Sequence, residues 1–282
     1  MPAPDGRCQP TIALALAGSL DGFRAASRLT RMHDAVAAAG IDVDLGPRQL
    51  RHGLSGFVGH GPIAVWLPDD AMHRASSGSG LTFTLPTAQS DAVTIVLPFP
   101  VGMEWRPASL TLAARLVSDA AEQFGNACVP TIGLRPAQLV GGRRHLTDMS
   151  VLRRVCEEWG IRVAIDATTV ADLGWEAEAA VARLGTRLGM LRIGTRGANS
   201  HAMGHDRVAR RALAAAIDAP QPVTISLLPQ PGLLWRFSVD RCADAWCASA
   251  AWLSDYRSAV LAFRRDSGGD RGSWRPSQAR ID

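Results

Sequence analysis

The chain has 282 residues, 47% of them apolar and 20% charged, which supplies a sizeable core and excludes a disordered composition. All 30 basic residues are arginine, as GC-rich coding bias would produce, and the lack of lysine excludes Schiff-base, pyridoxal phosphate and phosphate-loop lysine chemistry. The net charge of +4 is spread out, with no basic run interleaved with aromatics, so nucleic acid is not an expected partner; a small anion held by arginine forks or backbone N–H groups is compatible.

Residues 1–10 read as a disordered N-terminus without signal-peptide architecture. Short β-type runs then alternate with helical ones. Strands are predicted at 11–18 (TIALALAG), 41–46 (IDVDLG), 62–67 (PIAVWL), 92–100, 127–134, 161–166, 190–194 and 223–229, the number that closes a barrel. Helices are predicted near 21–39, 107–125, 147–159, 175–188, 206–218 and 243–265. In the second of these Leu112, Leu116, Ala120 and Phe124 fall on one face, with Gly125 as the stop; in the last, Trp252, Tyr256, Val260 and Phe263 form a packing stripe. The segment 47–90 resists helix assignment and suits a hairpin or an active-site lid, with His52, His60 and His73 as loop histidines. The tail 266–282 reads as disordered, with Trp274 the one residue that could dock.

The expected organisation is one domain over 11–265, an α/β fold of the (β/α)8 TIM-barrel type with an irregular or degenerate first half. Cys8, Cys128, Cys156, Cys242 and Cys247 are odd in number and irregularly spaced, as free buried thiols in a reducing compartment would be. No apolar stretch reaches the length of a membrane span, so a cytoplasmic chain with no membrane partner is expected.

Chemistry-bearing residues gather in MLRIGTRGANSHAMGHD, residues 190–206. Alternation sends Leu191 and Ile193 to one strand face and Arg192 to the other. An arginine inside a barrel strand needs a buried partner or access to the mouth. Asp166, which ends VAID, either forms a structural ion pair with Arg192 or works with it on a substrate; by itself it reads as a strand-end general base or as a turn cap. Arg196, Asn199, Ser200 and His201 lie in a glycine-containing loop before a helix opened by Asp206. That loop could cradle an anion, against the competing carboxylate of Asp206. His201 and His205 stand four apart, but Gly204 and Asp206 place them in a loop rather than on a helix face, which weakens a metal pair. Asp42 and Asp44 share a face of the second strand, and Glu104 follows the fourth. The catalytic candidates are therefore Asp166, Arg192 and His201, with Arg196, Asn199, Asp44, Glu104 and His205 as substrate-contacting candidates. No nucleophile elbow, dinucleotide fingerprint or phosphate loop is present.

The stretches LRRVCEEWGIRVAID, AEAAVARLGTRLGMLRIGTRG and HAMGHDRVARRALAAAIDAPQPVTISL together resemble the second half of the xylose isomerase-like TIM barrels. That superfamily includes sugar-phosphate isomerases and epimerases and the endonuclease IV type of repair enzyme. LTLAARLVSDAAEQFGNACVPTIG is similar to its mid-chain helix and strand, so the resemblance covers about residues 107–230 and rests on the order of elements. It implies a site at the C-terminal strand ends and, in relatives, a divalent metal held there by carboxylates and histidines. This chain departs from that pattern. Thr169 stands where a histidine often follows the strand-end aspartate. Leu191, Arg192, Ile193, Gly194 and Thr195 stand where Val-His-Leu-Lys-Asp is common. The closing strand runs Ser226, Leu227, Leu228, Pro229 without the usual glutamate, and Ala202, Met203 and Gly204 replace a glycine pair. A member without the metal or any other cofactor is expected, and the short span between 161 and 175 suggests a lost βα unit.

The leading expectation is a metal-independent isomerase or epimerase that transfers protons next to a carbonyl of a small sugar-like or carbonyl metabolite. A catalytically inactive binding or scaffold barrel, a lyase or cyclase of a specialised biosynthetic pathway, and a rearranged metal site from Asp44, Asp166 and His201 stand beside it. The expected partner is a small-molecule substrate, with a homo-oligomer left open.

Overall fold

The computed structural model describes residues 12–15, 42–45, 64–67, 70–76, 93–101, 107–124, 128–136, 149–166, 176–194, 211, 213–216, 223–228, 251, 255–256, 258–259 and 262. Eight strands run through it: β1 (Ile12–Ala15), β2 (Asp42–Leu45), β3 (Ala64–Trp66), β4 (Val93–Val101), β5 (Cys128–Pro136), β6 (Arg162–Asp166), β7 (Leu188–Gly194) and β8 (Thr224–Leu228). Each pairs in parallel with the next and β8 pairs with β1, so the sheet closes into a barrel in chain order. Every predicted strand is found. The expectation of a lost βα unit is corrected, because eight strands close the sheet; the connections that decide whether the first half is irregular lie largely outside the described residues. The short span after β6 leads to the helix Ala177–Leu184 and then to the seventh strand, predicted at 190–194 and found at 188–194.

The helices are α1 (Ala71–Ser76), α2 (Pro107–Phe124), α3 (Met149–Glu158) and α4 (Ala177–Leu184), the last continued by a 3-10 turn at Gly185–Arg187. α1 lies in the segment where no helix was assigned: six residues make fewer than two turns, too few to display a 3.6-residue period. Residues 211 and 213–216, and 251, 255–256, 258–259 and 262, are helical within the predicted 206–218 and 243–265. The predicted helix at 21–39, both termini and Trp274 lie outside the described residues, as do Trp252, Val260 and Phe263. Tyr256 of that stripe is buried.

A parallel sheet covered by helices buries both strand faces, which explains near-continuous apolar strands. The outward positions carry the bulky aliphatics: Val65, Ile95, Leu97, Ile132, Ile165 and Leu191 are all fully buried, each contributing about 1.5–3 kcal/mol by burial. α2 begins with Pro107, whose fixed φ and missing N–H suit a first helical position. Its buried side is Leu110, Ala113, Ala114, Val117 and Ala121, while Leu112 is 37% exposed and Leu116 half-buried. Of the predicted stripe Ala120 is buried, but Leu112 and Leu116 lie off the buried side, so the face is corrected by a rotation of the helix. Its core face is mostly alanine, which lets the helix approach the strands, and a reading weighted to large residues picks the wrong side.

α3 buries Leu152, Val155 and Cys156 and exposes Arg153, Arg154, Glu157 and Glu158. It ends in a Schellman-type turn: the Trp159 N–H donates to Val155 O at 3.0 Å and the Ile161 N–H to Cys156 O at 3.0 Å. That turn needs φ of +65° at Gly160, which a side chain would strain. Arg211 pairs with Glu178 of α4 on a half-exposed surface. Arg211→Ala is therefore expected to lower stability by less than about 1 kcal/mol in urea unfolding.

Burial pushes the Cys156 thiol up from 9.0 to about 12, with Arg187 opposing and Glu157 adding to the shift. The thiol is protonated in the folded chain where the unfolded chain would ionise it. Its contribution is therefore complete below about pH 9 and is lost as the pH rises toward 12. In native protein at pH 8, iodoacetamide should leave Cys156 unmodified while modifying it in urea, as read by peptide mass.

Candidate functional site

The ladder registers fix which residues share a level inside the barrel. In a TIM barrel the pairing drifts by one residue per strand, so level neighbours sit on alternate strands, two residues beyond the paired position. Trp66 pairs with Val96 and Val96 with Thr131, which makes Gly133 of β5 level with Trp66. Gly133 pairs with Ala164 and Ala164 with Met190, which adds Arg192 of β7. Arg192 pairs with Ser226 and Ser226 with Ala13, which adds Ala15 of β1. Ala15 pairs with Asp44 and Asp44 with Ala64, and two residues further is Trp66 again. The layer closes on itself as Ala15, Trp66, Gly133 and Arg192.

Two members of the layer are large and two are nearly without side chain, in alternation. β3 and β7 lie across the barrel from each other, and their side chains meet in the middle. The Arg192 guanidinium carbon sits 3.9 Å from the centroid of the Trp66 ring system. Trp66 is 1% exposed and Arg192 4%, so this cation–π contact is desolvated and is worth about 2 kcal/mol. Gly133 makes room for it: a Cβ there would lie 2.5 Å from Trp66 Cζ3 and 2.6 Å from Val96 Cγ1.

The same arithmetic places the other strand-borne candidates. Asp166 is the direct ladder partner of Arg192 and belongs to the next level toward the C-terminal mouth, with Pro98 and Leu228. Asp44 belongs to the level on the opposite side of the Trp66–Arg192 contact, with Val96, Ala164 and Ser226. The two aspartate positions are thus separated by the stacked pair. Arg192 has Asp166 on one ladder side and the buried Ser226 on the other. His201, Arg196, Asn199, Glu104 and His205 lie outside the described residues, as do His52 and His60; His73 is exposed on α1. Among the described residues no three histidine, cysteine or carboxylate groups gather as a metal site, and no helix is long and apolar enough to cross a membrane.

No family model matches the chain, and no curated protein matches its sequence. Solved structures do match its shape. A xylose isomerase domain protein from Alicyclobacillus acidocaldarius is similar at TM-score 0.56 and 14% identity, covering 88% of this chain and all (100%) of the other. A sugar phosphate isomerase/epimerase from Parabacteroides distasonis is similar at TM-score 0.54 and 11% identity, covering 89% of this chain and 97% of the other. The chain has the barrel fold of these two structures. In a barrel of this kind the strand C-termini face the mouth, and the Trp66–Arg192 layer lies one level below that of Asp166, Pro98 and Leu228.

Sequence reasoning found Arg192 and its ladder neighbour Asp166 but missed Trp66 and Gly133. A signal for Trp66 existed in Ala64-Val65-Trp66, where alternation around the outward Val65 sends the indole into the lumen. What pairs with it across the barrel depends on strand register, which no local pattern carries.

Proposed function

We propose that the chain is a metal-independent barrel enzyme of the isomerase and epimerase kind, moving a proton beside the carbonyl of a small sugar-like metabolite. The observation that carries this reading is that Arg192, whose guanidinium is buried, has the strand-end Asp166 as its ladder partner, one level nearer the C-terminal end of the barrel. Asp166 removes the proton from the carbon next to the carbonyl, and the electron pair moves onto the carbonyl oxygen as an enolate. Arg192 stabilises that oxygen. For epimerisation His201 is proposed as the acid that delivers a proton to the opposite face of the same carbon while Asp166 releases its own to solvent. For isomerisation the adjacent hydroxyl passes its proton to the enolate oxygen as Asp166 returns its proton to the neighbouring carbon. Arg196, Asn199, Glu104 and His205 are proposed to contact the remaining polar groups of the substrate.

The donor set argues against routing any step through a divalent ion. The resemblance to xylose isomerase-like barrels implies a metal held by carboxylates and histidines at the strand ends, whereas the level of Trp66 carries a cation of its own, and a divalent ion placed beside Arg192 would be repelled. Elemental analysis of the purified chain should find less than stoichiometric divalent metal; a full equivalent would overturn this part of the reading.

A second reading, an inactive binding or scaffold barrel, draws on the same layer, since Trp66 and Arg192 fill the lumen side to side. Solvent deuterium separates the two. With a panel of small aldoses, ketoses and their phosphates in D2O, a proton-transfer enzyme should exchange the hydrogen next to the carbonyl, read as loss of its proton NMR signal. A barrel that binds panel members without exchanging any hydrogen would establish the scaffold instead.

A further inference from the structure

We infer that Trp66 is the positioning residue of this site, and that Gly133 is the residue that lets it take that role; this rests on the reading of Arg192 as the group that stabilises the carbonyl oxygen. An arginine side chain has several rotatable bonds, and in a lumen lined by small residues it could settle in many ways. Asp166 and the buried Ser226 flank it along the ladder, while Ala64, Val96, Gly133, Ala164 and Met190 around its level carry no group that binds a guanidinium by charge or hydrogen bond. The broad surface among them is the indole of Trp66, 3.9 Å from the guanidinium carbon. A planar cation over an aromatic face is held against it at small entropic cost.

The layer is built for this contact. Ala15 and Gly133 occupy the two positions between Trp66 and Arg192 around the barrel. The Gly133 Cα lies so close to the benzo ring that a methyl group there would meet Cζ3 at 2.5 Å and Cη2 at 2.8 Å. Neither feature is needed for a merely apolar core, which four aliphatic side chains would fill equally well. The consequence for substrate is depth. The stacked pair closes the lumen, so the substrate lies above the indole with one oxygen toward the guanidinium edge and cannot extend a chain down the barrel axis. A compact polyol or hydroxycarbonyl compound fits such a site, and one bearing an apolar tail at that end does not.

The contact has its own spectroscopic signature, independent of any substrate. An N–H group held against an indole face resonates upfield of exposed arginines through the ring current. The Arg192 Nε–H correlation is identified in a nitrogen–proton spectrum as the signal missing from Arg192→Met. In Trp66→Leu that signal should move downfield toward the other arginines, and in Trp66→Phe it should move only part of the way. Should Trp66→Leu fail to fold, Trp66→Phe alone decides, since the smaller ring still must shift the signal. An Arg192 signal unchanged in a folded Trp66 variant overturns the positioning role. Turnover adds a second readout: Trp66→Leu should lower kcat by about tenfold or more with KM changed less, and Trp66→Phe should restore most of the loss. If the signal moves as expected while the wild-type chain exchanges no hydrogen in any panel compound, Trp66 positions Arg192 but the proton-transfer reading fails.

Discussion

Arg192→Met should abolish most of the hydrogen exchange while leaving the barrel as stable as before, or more so. Removing a preorganised donor aimed at a developing oxyanion costs about 10²–10³ in rate, and the substitution removes the only described group of that kind at the level of Trp66. Stability moves differently because two effects oppose each other. The cation–π contact, worth about 2 kcal/mol, is lost, yet the penalty for burying a guanidinium also disappears, and apolar replacements of similar volume are often neutral or stabilising by about 1–4 kcal/mol. We expect the second effect to balance or exceed the first, since methionine follows much of the same path across Trp66. Thermal unfolding should therefore show a Tm within a few degrees of wild type or above it. A variant that loses activity only because it melts at assay temperature would contradict this. Asp166→Asn should lower the rate by about 10²–10⁴, the range for removal of a positioned base. The double variant should be little worse than the poorer single one, because base and electrophile act on one transition state.

Gly133→Ala should be among the most damaging single substitutions in the barrel, although it adds one methyl group. The added carbon would sit 2.5 Å from Trp66 Cζ3 and 2.6 Å from Val96 Cγ1, well inside van der Waals contact. Neither neighbour has room to yield: Trp66 is held between β3 and the Arg192 guanidinium, and Val96 is fully buried. Overpacking of this kind costs about 1–3 kcal/mol. We expect the upper end, about 3 kcal/mol, or a Tm lower by about 6–12 °C for a chain of this size. Combining it with Trp66→Leu tests the cause. If the clash with the indole is the source, the double variant is less destabilised than the two single losses added together, whereas strict additivity would place the damage elsewhere.

Much of the architecture was legible because the strands carry their signal locally. Runs such as Ile95 to Phe99 and Val163 to Ile165 are apolar on both faces, as parallel strands under helices must be, and all eight were found with only small errors at the ends. Arg192 was legible for the complementary reason, since one charged residue in an apolar strand stands out. The errors have physical sources. α1 is too short to show a period. The face of α2 was misread because alanines form it. The supposed loss of a βα unit came from counting residues between elements, whereas closure depends on pairing, which is not local.

The site was half legible for that same reason. Asp166 and Arg192 come from consecutive strands and could be joined by sequence alone. Trp66 reaches Arg192 from the far side of the barrel, and Gly133 matters only because of where the drift of register brings it. That drift also puts Asp44 and Asp166 on opposite sides of the stacked pair, a separation that their similar strand-end positions did not suggest.

The central claim is that the Arg192 guanidinium over Trp66 and Asp166, its ladder partner, perform proton transfer on a small carbonyl compound. It is tested most directly by following solvent deuterium into the panel compounds with wild type, Arg192→Ala and Asp166→Asn at equal concentration, each confirmed folded by circular dichroism. The account predicts exchange of the hydrogen next to the carbonyl by wild type, slowed at least about a hundredfold in each variant. Exchange at the wild-type rate in both variants would contradict it.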